Sequence, residues 1–313
     1  MKRLLILLLL LVPLVCFGQY HIKSGINQNG SGGYIPTSGY INSSDGYSAD
    51  NSGGISLDAD AKNLIDRMIA LGVTPSTGRQ RLYSNIFTML KDSLEVADLR
   101  TLADAMYFTD NYITAIDTNI VKLNWIQDAY NLSSFGLLAY DSSGIKGNEL
   151  SSGLRTNYVP SVNGSAYTLN SSSFGVFAKK TEKVNRAIIG GYQTGVLQRL
   201  FLVNGAAAIN SASQYSSGFT DTLGMIIVSR TSSTTVKIYG DLTWVVTDTR
   251  NSSALPSVEQ GLLCENANGT YTNFSAATVG FAFWCAGLDA TQVRIINNIY
   301  LYWWVNKNKA EYL

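Results

Sequence analysis

Histidine is almost absent: His21 is the only one in 313 residues. A Ser-His-Asp or Cys-His system needs a base held rigidly beside its nucleophile, and His21 lies in a stretch too poor in large apolar residues to hold anything rigidly. Cysteine is scarce as well, with Cys16, Cys264 and Cys285. Cys16 lies in an apolar N-terminal stretch read below as a cleaved signal peptide, and the one histidine and two cysteines that remain cannot supply the four nitrogen or sulfur ligands of a structural zinc site. Charge is thin, at 14 % Asp, Glu, Lys and Arg against roughly 25 % in an average soluble domain. The net charge is +1 with no basic stripe, so the electrostatic footprint of a nucleic-acid binder is missing. No phosphate loop, dinucleotide fingerprint or metalloprotease helix motif occurs. Ser, Thr, Asn, Gly and Tyr take the place of the missing charges, a mixture that suits extracellular β proteins, fibre and virion proteins, and polar surfaces that meet glycans. Hydrophobic residues make up 46 %, enough for a sizeable core.

The chain starts with Met1-Lys2-Arg3, an apolar stretch from Leu4 to Phe17, and then Gly18-Gln19. This is the layout of a secretory signal peptide, with cleavage expected after Gly18 and Gln19 as the new first residue. The apolar stretch is short of the roughly 20 residues a membrane-spanning helix needs. Lipidation at Cys16 fits less well, because Val15 stands where a small residue belongs. No later segment is apolar enough to span a bilayer. Cleavage would leave Cys264 and Cys285, an even pair in an exported chain, which permits one disulfide or two separate buried thiols.

Residues 19–56 are dense in Gly, Ser, Asn and Tyr and read as a flexible leader, since they offer too little apolar surface to offset chain entropy. Residues 57–110 read as a small helical unit. Asp58 and Asp60 suit a helix N-terminus, Leu64, Ile65, Met68 and Leu71 follow at helical spacing, and Gly72 supplies a stop. Thr74 as N-cap and Pro75 at the first turn predict a second helix with Leu82, Ile86, Met89 and Leu90 on its apolar face. Leu94 to Met106 is helix-compatible as a third segment.

From about residue 111 the pattern changes to short β-rich runs between Gly, Asn and Ser clusters. Phe174 to Ala178, Ala187 to Tyr192, Leu197 to Val203, Leu223 to Arg230, Thr234 to Tyr239 and Leu242 to Thr247 are expected strands. Val236 and Ile238 alternate with Lys237 and Tyr239, which predicts one buried and one wet face. Phe281, Phe283 and Cys285 point opposite to Ala282 and Trp284. Asn204-Gly205 and Gly240-Asp241 punctuate hairpins. Asp289 with Gln292 forms a capping-box pattern for a final helix. Val293, Ile296, Tyr300 and Trp303 share one face of it, which predicts a helix sealing one end of a sandwich. The cluster Tyr300, Tyr302, Trp303 and Trp304 is a sugar platform or, as the simpler reading, core packing.

Paired carboxylates are the one remaining route to catalysis. Glu259 and Glu265 flank Leu262-Leu263-Cys264, at a spacing that puts them at two strand ends. Asp221, Asp241 and Asp248 stand beside turns, where Asp serves the backbone. Asp221, Asp241 and Glu265 are conceivable Ca²⁺ ligands, without a diagnostic spacing. We therefore assign no catalytic, metal or cofactor residue.

Several runs resemble, in order, the concanavalin A-like, laminin-G-like sandwich of phage and prophage tail or virion proteins. They are Gly224-Met225-Ile226-Ile227-Val228-Ser229-Arg230-Thr231-Ser232-Ser233; Gly261 to Gly269, ending Ala267-Asn268-Gly269; and Phe281-Ala282-Phe283-Trp284-Cys285-Ala286-Gly287-Leu288-Asp289-Ala290. Departures are Tyr239-Gly240-Asp241 where an Asn-Gly hairpin is usual, the cysteine pair and the signal peptide. The resemblance implies a mainly β fold: a jelly-roll β-sandwich over residues 111–313 behind short helices. It also implies a binding or structural role, and it carries no ligand site onto any residue here. The expected function is a non-enzymatic structural or adhesive protein, exported or virion-displayed, that meets carbohydrate or a neighbouring subunit and assembles as a homo-oligomer or larger particle. A free carbohydrate-binding lectin and a glycoside hydrolase are the alternatives.

Overall fold

The computed structural model describes residues 56–111, 118–179, 186–201, 205–216, 223–240 and 244–311. The expected signal peptide with its Gly18–Gln19 cut, the leader, His21, Asp221 and Asp241 lie outside these residues.

Two helices come first, α1 (Ala59–Ala70) and α2 (Thr77–Leu94). Asp58 caps α1, its carboxylate accepting from the backbone N–H groups of Asp60 and Ala61. α2 starts two residues later than Thr74-Pro75 predicts. Ser76 has the extended backbone of an N-cap, and its Oγ accepts from Arg79 N at 3.3 Å. Strands follow: β1 (Ala103–Tyr107), β2 (Ser133–Phe135), β3 (Ala139–Asp141), β4 (Gly144–Lys146) and β5 (Gly153–Arg155). After the short α3 (Pro160–Asn163) come β6 (Ser172–Lys179), β7 (Ala187–Gln193), β8 (Val196–Phe201), β9 (Ala206–Ser211) and β10 (Tyr215–Ser216). The series continues with β11 (Leu223–Arg230), β12 (Val236–Gly240), β13 (Trp244–Asp248) and β14 (Gly261–Leu262). It ends with β15 (Glu265–Ala267), β16 (Thr270–Thr272), β17 (Thr278–Cys285) and the helix α4 (Ala290–Asn306). Asp289 and Gln292 make the reciprocal bonds of the predicted capping box.

The strands form two sheets. The first runs β13-β12-β11-β6-β17-β4-β3, with β1 also paired to β17; the second runs β10-β9-β8-β7-β14-β5-β2, with β15 paired to β7 and β16. Both are antiparallel apart from the parallel β15–β7 contact. The chain is thus a jelly-roll β-sandwich, mainly β, with helices before and after it. Leu154, Ile189, Leu200 and Leu262 of the second sheet and Phe174, Val176 and Trp284 of the first are buried in one continuous core.

The helices form a third layer. Paired residues Phe177, Phe281 and Met225, like Gly175, Phe283 and Ile227, share the outer face of the first sheet. Tyr300 of α4 stacks on Phe281 at 5.0 Å between centroids and meets Phe177 at 4.6 Å. Trp303 meets Phe108 and Trp125, and Tyr83 of α2 stacks on Trp303 at 5.9 Å. Helix α4 therefore lies on a sheet face and does not plug the sandwich's end. The aromatic stripe has more ring surface to bury than an end loop would offer. Asp110 pins this layer, accepting from Trp303 Nε1 at 2.8 Å, Tyr300 OH at 3.1 Å and Lys307 Nζ at 2.6 Å.

Two further expectations are corrected, and one of the two alternatives for the cysteine pair holds. Leu94 to Met106 is not a third helix: α2 stops at the left-handed Glu95, a single 3₁₀ turn follows, and β1 begins at Ala103. Sheet pairing with β17 outweighs helix propensity there, and α1 and α2 share the sandwich's core. Strand β17 is buried on both faces because helices cover one side and the second sheet the other. On β12, Tyr239 is buried at 4 % exposure, not wet. Cys264, in the bend between β14 and β15, and Cys285, at the end of β17, are two separate free thiols; burial raises both thiols above their ordinary pKa.

The β1–β17 pairing carries a bulge, with Ala103 opposite Cys285 but Ala105 opposite Trp284. The extra residue is Asp104, which the bulge re-aims into the interior. Its carboxylate accepts from the backbone N–H groups of Ser165, Ala166 and Tyr167 at 3.0 Å each and from Tyr158 OH at 2.9 Å. The Ser229-Arg230 pair also has a structural account. Ser229 Oγ bonds Ser173 and the Leu288 backbone, and the buried Arg230 guanidinium donates to the carbonyls of Ile209, Ser232, Ser233 and Arg250.

Candidate functional site

With helices over the first sheet, the outer face of the second sheet is the broad surface left to meet a ligand. Register places Ser133, Arg155, Gly261, Gly190 and Arg199 in one row across it. The β15–β16 hairpin folds back over this row, turned by Asn268 and Gly269, both at positive φ. Glycine is required beneath it. A Cβ on Gly190 would lie 2.8 Å from Glu265 Cα, and one on Gly153 would lie 2.6 Å from Cys264 Sγ.

At one end of this face stands an aromatic platform. The rings of Phe135 on β2 and Tyr271 on β16 are 4.9 Å apart, with Phe274 at 6.1 Å from Phe135. All three are half-buried, which leaves ring surface open. The Arg155 guanidinium lies over both of the first two, 5.6 Å from the Phe135 centroid and 5.3 Å from that of Tyr271. Tyr271 OH donates to Glu259 Oε2 at 2.7 Å, and Asn157 N donates to Glu259 Oε1 at 2.5 Å. Burial, then the Glu259 carboxylate, push the Tyr271 phenol far above its ordinary pKa, so it stays protonated as a donor. Gly136, at a left-handed φ of 68°, brings the next loop against Ser151. The exposed Leu137 and Leu150 border the platform on these two loops, at 83 % and 79 % exposure.

Further along the face, Arg199 Nη1 pairs with the buried Glu265 at 2.9 Å, and Asn273 Nδ2 donates to the other carboxylate oxygen at 2.6 Å. The Arg199 guanidinium sits over Phe201 and Tyr192. The structure thus brings both sequence-predicted glutamates to one face, each held by its own donors, with no oxygen of either left without one. That arrangement fixes the hydrogen-bonding geometry of both carboxylates. Asp248 accepts from Arg250 N at 2.8 Å, the turn role predicted for it. Among the described residues no group of three His, Cys, Asp or Glu side chains could hold a metal ion, and Glu265, one of the conceivable Ca²⁺ ligands, is spent on Arg199. Tyr300 and Trp303 are core residues, as the simpler reading has it.

The platform residues went unnoticed in the sequence because Phe135, Arg155 and Tyr271 come from three segments that only sheet pairing joins. The one local signal was Asn268-Gly269, which announces a hairpin with Tyr271 two residues on.

No family model matches the chain, and no curated protein does. Among solved structures it is similar to domain 4 of AbnA, a GH43 extracellular arabinanase from Geobacillus stearothermophilus, in complex with arabinotriose. Identity is 13 % and the TM-score 0.41, over 62 % of this chain and 98 % of that one. It is similar to the botulinum neurotoxin serotype D binding domain at 9 % identity and a TM-score of 0.44, over 63 % of this chain and about half (52 %) of that one. The Ruminococcus gnavus IT-sialidase CBM40 matches at 13 % identity and a TM-score of 0.36, over 49 % and 96 %. At this level of similarity none of them assigns a ligand or a site to this chain. Its own coordinates make it a two-sheet jelly-roll sandwich, closed by helices on one side and bearing an arginine-capped aromatic platform on the other.

Proposed function

We propose that this is an exported, non-enzymatic structural or adhesive protein, displayed on a cell surface or a virion, that holds glycans on the outer face of its second sheet. The observation that carries the reading is the platform of Phe135, Tyr271 and Arg155 beside a locked Glu259. Sugar rings present a C–H face that packs on half-open aromatic rings, and a few fixed polar groups then set orientation. Rigid rings with the Glu259–Tyr271 bond already formed lose little freedom on binding. Export is supported by the Met1–Gln19 layout, and display in an assembly by the exposed Leu137 and Leu150 at the rim.

The test is binding of the full chain to an oligosaccharide array, followed by titration of the best ligands. Phe135→Ala and Tyr271→Ala should each weaken binding about tenfold or more, as truncation of a central aromatic anchor does. An array without a hit, or hits indifferent to both changes, defeats the reading. Hydrolysis of any bound glycan, abolished in Glu259→Gln or Glu265→Gln, would replace it with the hydrolase alternative.

A further inference from the structure

Both glutamates on the outer face of the second sheet have their donors. Glu259 takes Asn157 N and Tyr271 OH, and Glu265 takes Arg199 and Asn273. Arg155 is a cation on this face without such a partner. It is exposed, and among the described residues its guanidinium has neither an ion-pair partner nor a hydrogen-bond acceptor, only the two rings.

That guanidinium is nonetheless held. Contact with two rings restrains it before any ligand arrives, which reduces the ordering cost of binding. Ring contacts use the π-faces and leave the in-plane N–H donors unspent. A planar fork of that kind matches a carboxylate, which accepts two parallel charge-assisted bonds. A neutral hydroxyl can use only one of them.

We propose that the platform selects carboxylate-bearing sugars, with Arg155 as the anchor for the acid while the sugar ring packs on Phe135 and Tyr271. The proposal rests on the carbohydrate reading above. Glu259 adds orientation: its charge disfavours an acid laid toward the Tyr271 hydroxyl and favours one laid toward Arg155.

The experiment uses four probes in calorimetric titrations of the full chain: trigalacturonic acid and its methyl ester, and sialyllactose and its methyl ester. Each pair differs by its acid, and the methyl ester removes the charge while keeping the sugar. At least one acid should bind about tenfold or more tighter than its neutral counterpart, the range of a charge-assisted bidentate contact. Arg155→Gln should erase that preference, so that acid and neutral probes bind the variant equally whatever their absolute affinity. Arg155→Lys, which keeps the charge without the fork, should restore only part of it. Since Arg155 is exposed, a denaturation curve matching the wild type confirms that the variants fold. Equal binding of acid and neutral probes by the wild type overturns charge selection and leaves the carbohydrate reading standing. A preference that survives in Arg155→Gln overturns the anchor. Silence from all four probes and from the glycan array sinks both.

Discussion

Replacing Asp104 with Asn keeps the size of the side chain and changes only its charge and one acceptor atom, so it isolates what the bulged carboxylate does. In the native protein Oδ1 accepts from Ser165 N and Ala166 N, and Oδ2 accepts from Tyr167 N and Tyr158 OH. An amide must turn its NH₂ toward one of these pairs. The better choice faces Oδ2, because Tyr158 can rotate its hydroxyl and accept, whereas Tyr167 N–H cannot. One buried N–H then loses its partner, at about 1–3 kcal/mol, and the surviving bonds drop from charge-assisted to neutral strength, roughly 1 kcal/mol each. Relief of the desolvated charge offsets part of this. We expect Asp104→Asn to destabilise the fold by about 3 kcal/mol, a large share of the roughly 5–15 kcal/mol that holds a domain together. Urea denaturation followed by tryptophan fluorescence reads it as a lower midpoint at unchanged slope. The control is Asp98→Asn, whose partner Arg100 is exposed; it should cost under about 1 kcal/mol. If the two variants behave alike, the carboxylate does not organise the 164–167 loop.

Gly175→Ala should cost about 1–3 kcal/mol through overpacking, because the new methyl would lie 2.7 Å from Phe283 and 2.8 Å from Ile227; denaturation checks this. Arg230→Lys, which swaps a fork reaching four backbone carbonyls for three donors at one point, should lower the thermal midpoint measurably. Cys264 and Cys285 should resist a thiol reagent until denaturant is added, and a reductant should leave the midpoint unchanged; rapid labelling of the native protein would contradict their burial. Burial is the largest single influence on Lys91 and lowers its pKa, but the bonds and charges of Asp60 and Asp58 outweigh it, so the folded value is raised. Its contribution is therefore full below the unfolded lysine value of about 10.4 and is lost as pH rises through the folded one. Denaturation at stepped pH should show that loss in the wild type and not in Lys91→Met.

Local chemistry was legible in the sequence; long-range placement was not. Asp58 and the Asp289–Gln292 box cap their helices as read, and Leu223–Arg230 is a strand from end to end. Those features depend on neighbours three or four positions away. The segment before β1 misled because nothing near Asp104 reveals that its partner strand begins at Thr278. The same limit hid the platform. Of its parts only the glutamates were singled out, because carboxylates draw notice by type. Phe135 and Arg155 look like ordinary strand residues until β2, β5 and the β15–β16 hairpin come together.

The order in which the first sheet is completed follows from where β17 sits. It lies between β6, made about a hundred residues earlier, and the β1 and β4 edges. Until residue 285 has been synthesised, the sheet is two halves with an unzipped seam, each half offering raw backbone along β6 or β1. A chain stopped short of that point would show its neighbours two sticky borders instead of a finished wall, and premature termination near the end should yield aggregates and not a slightly smaller domain.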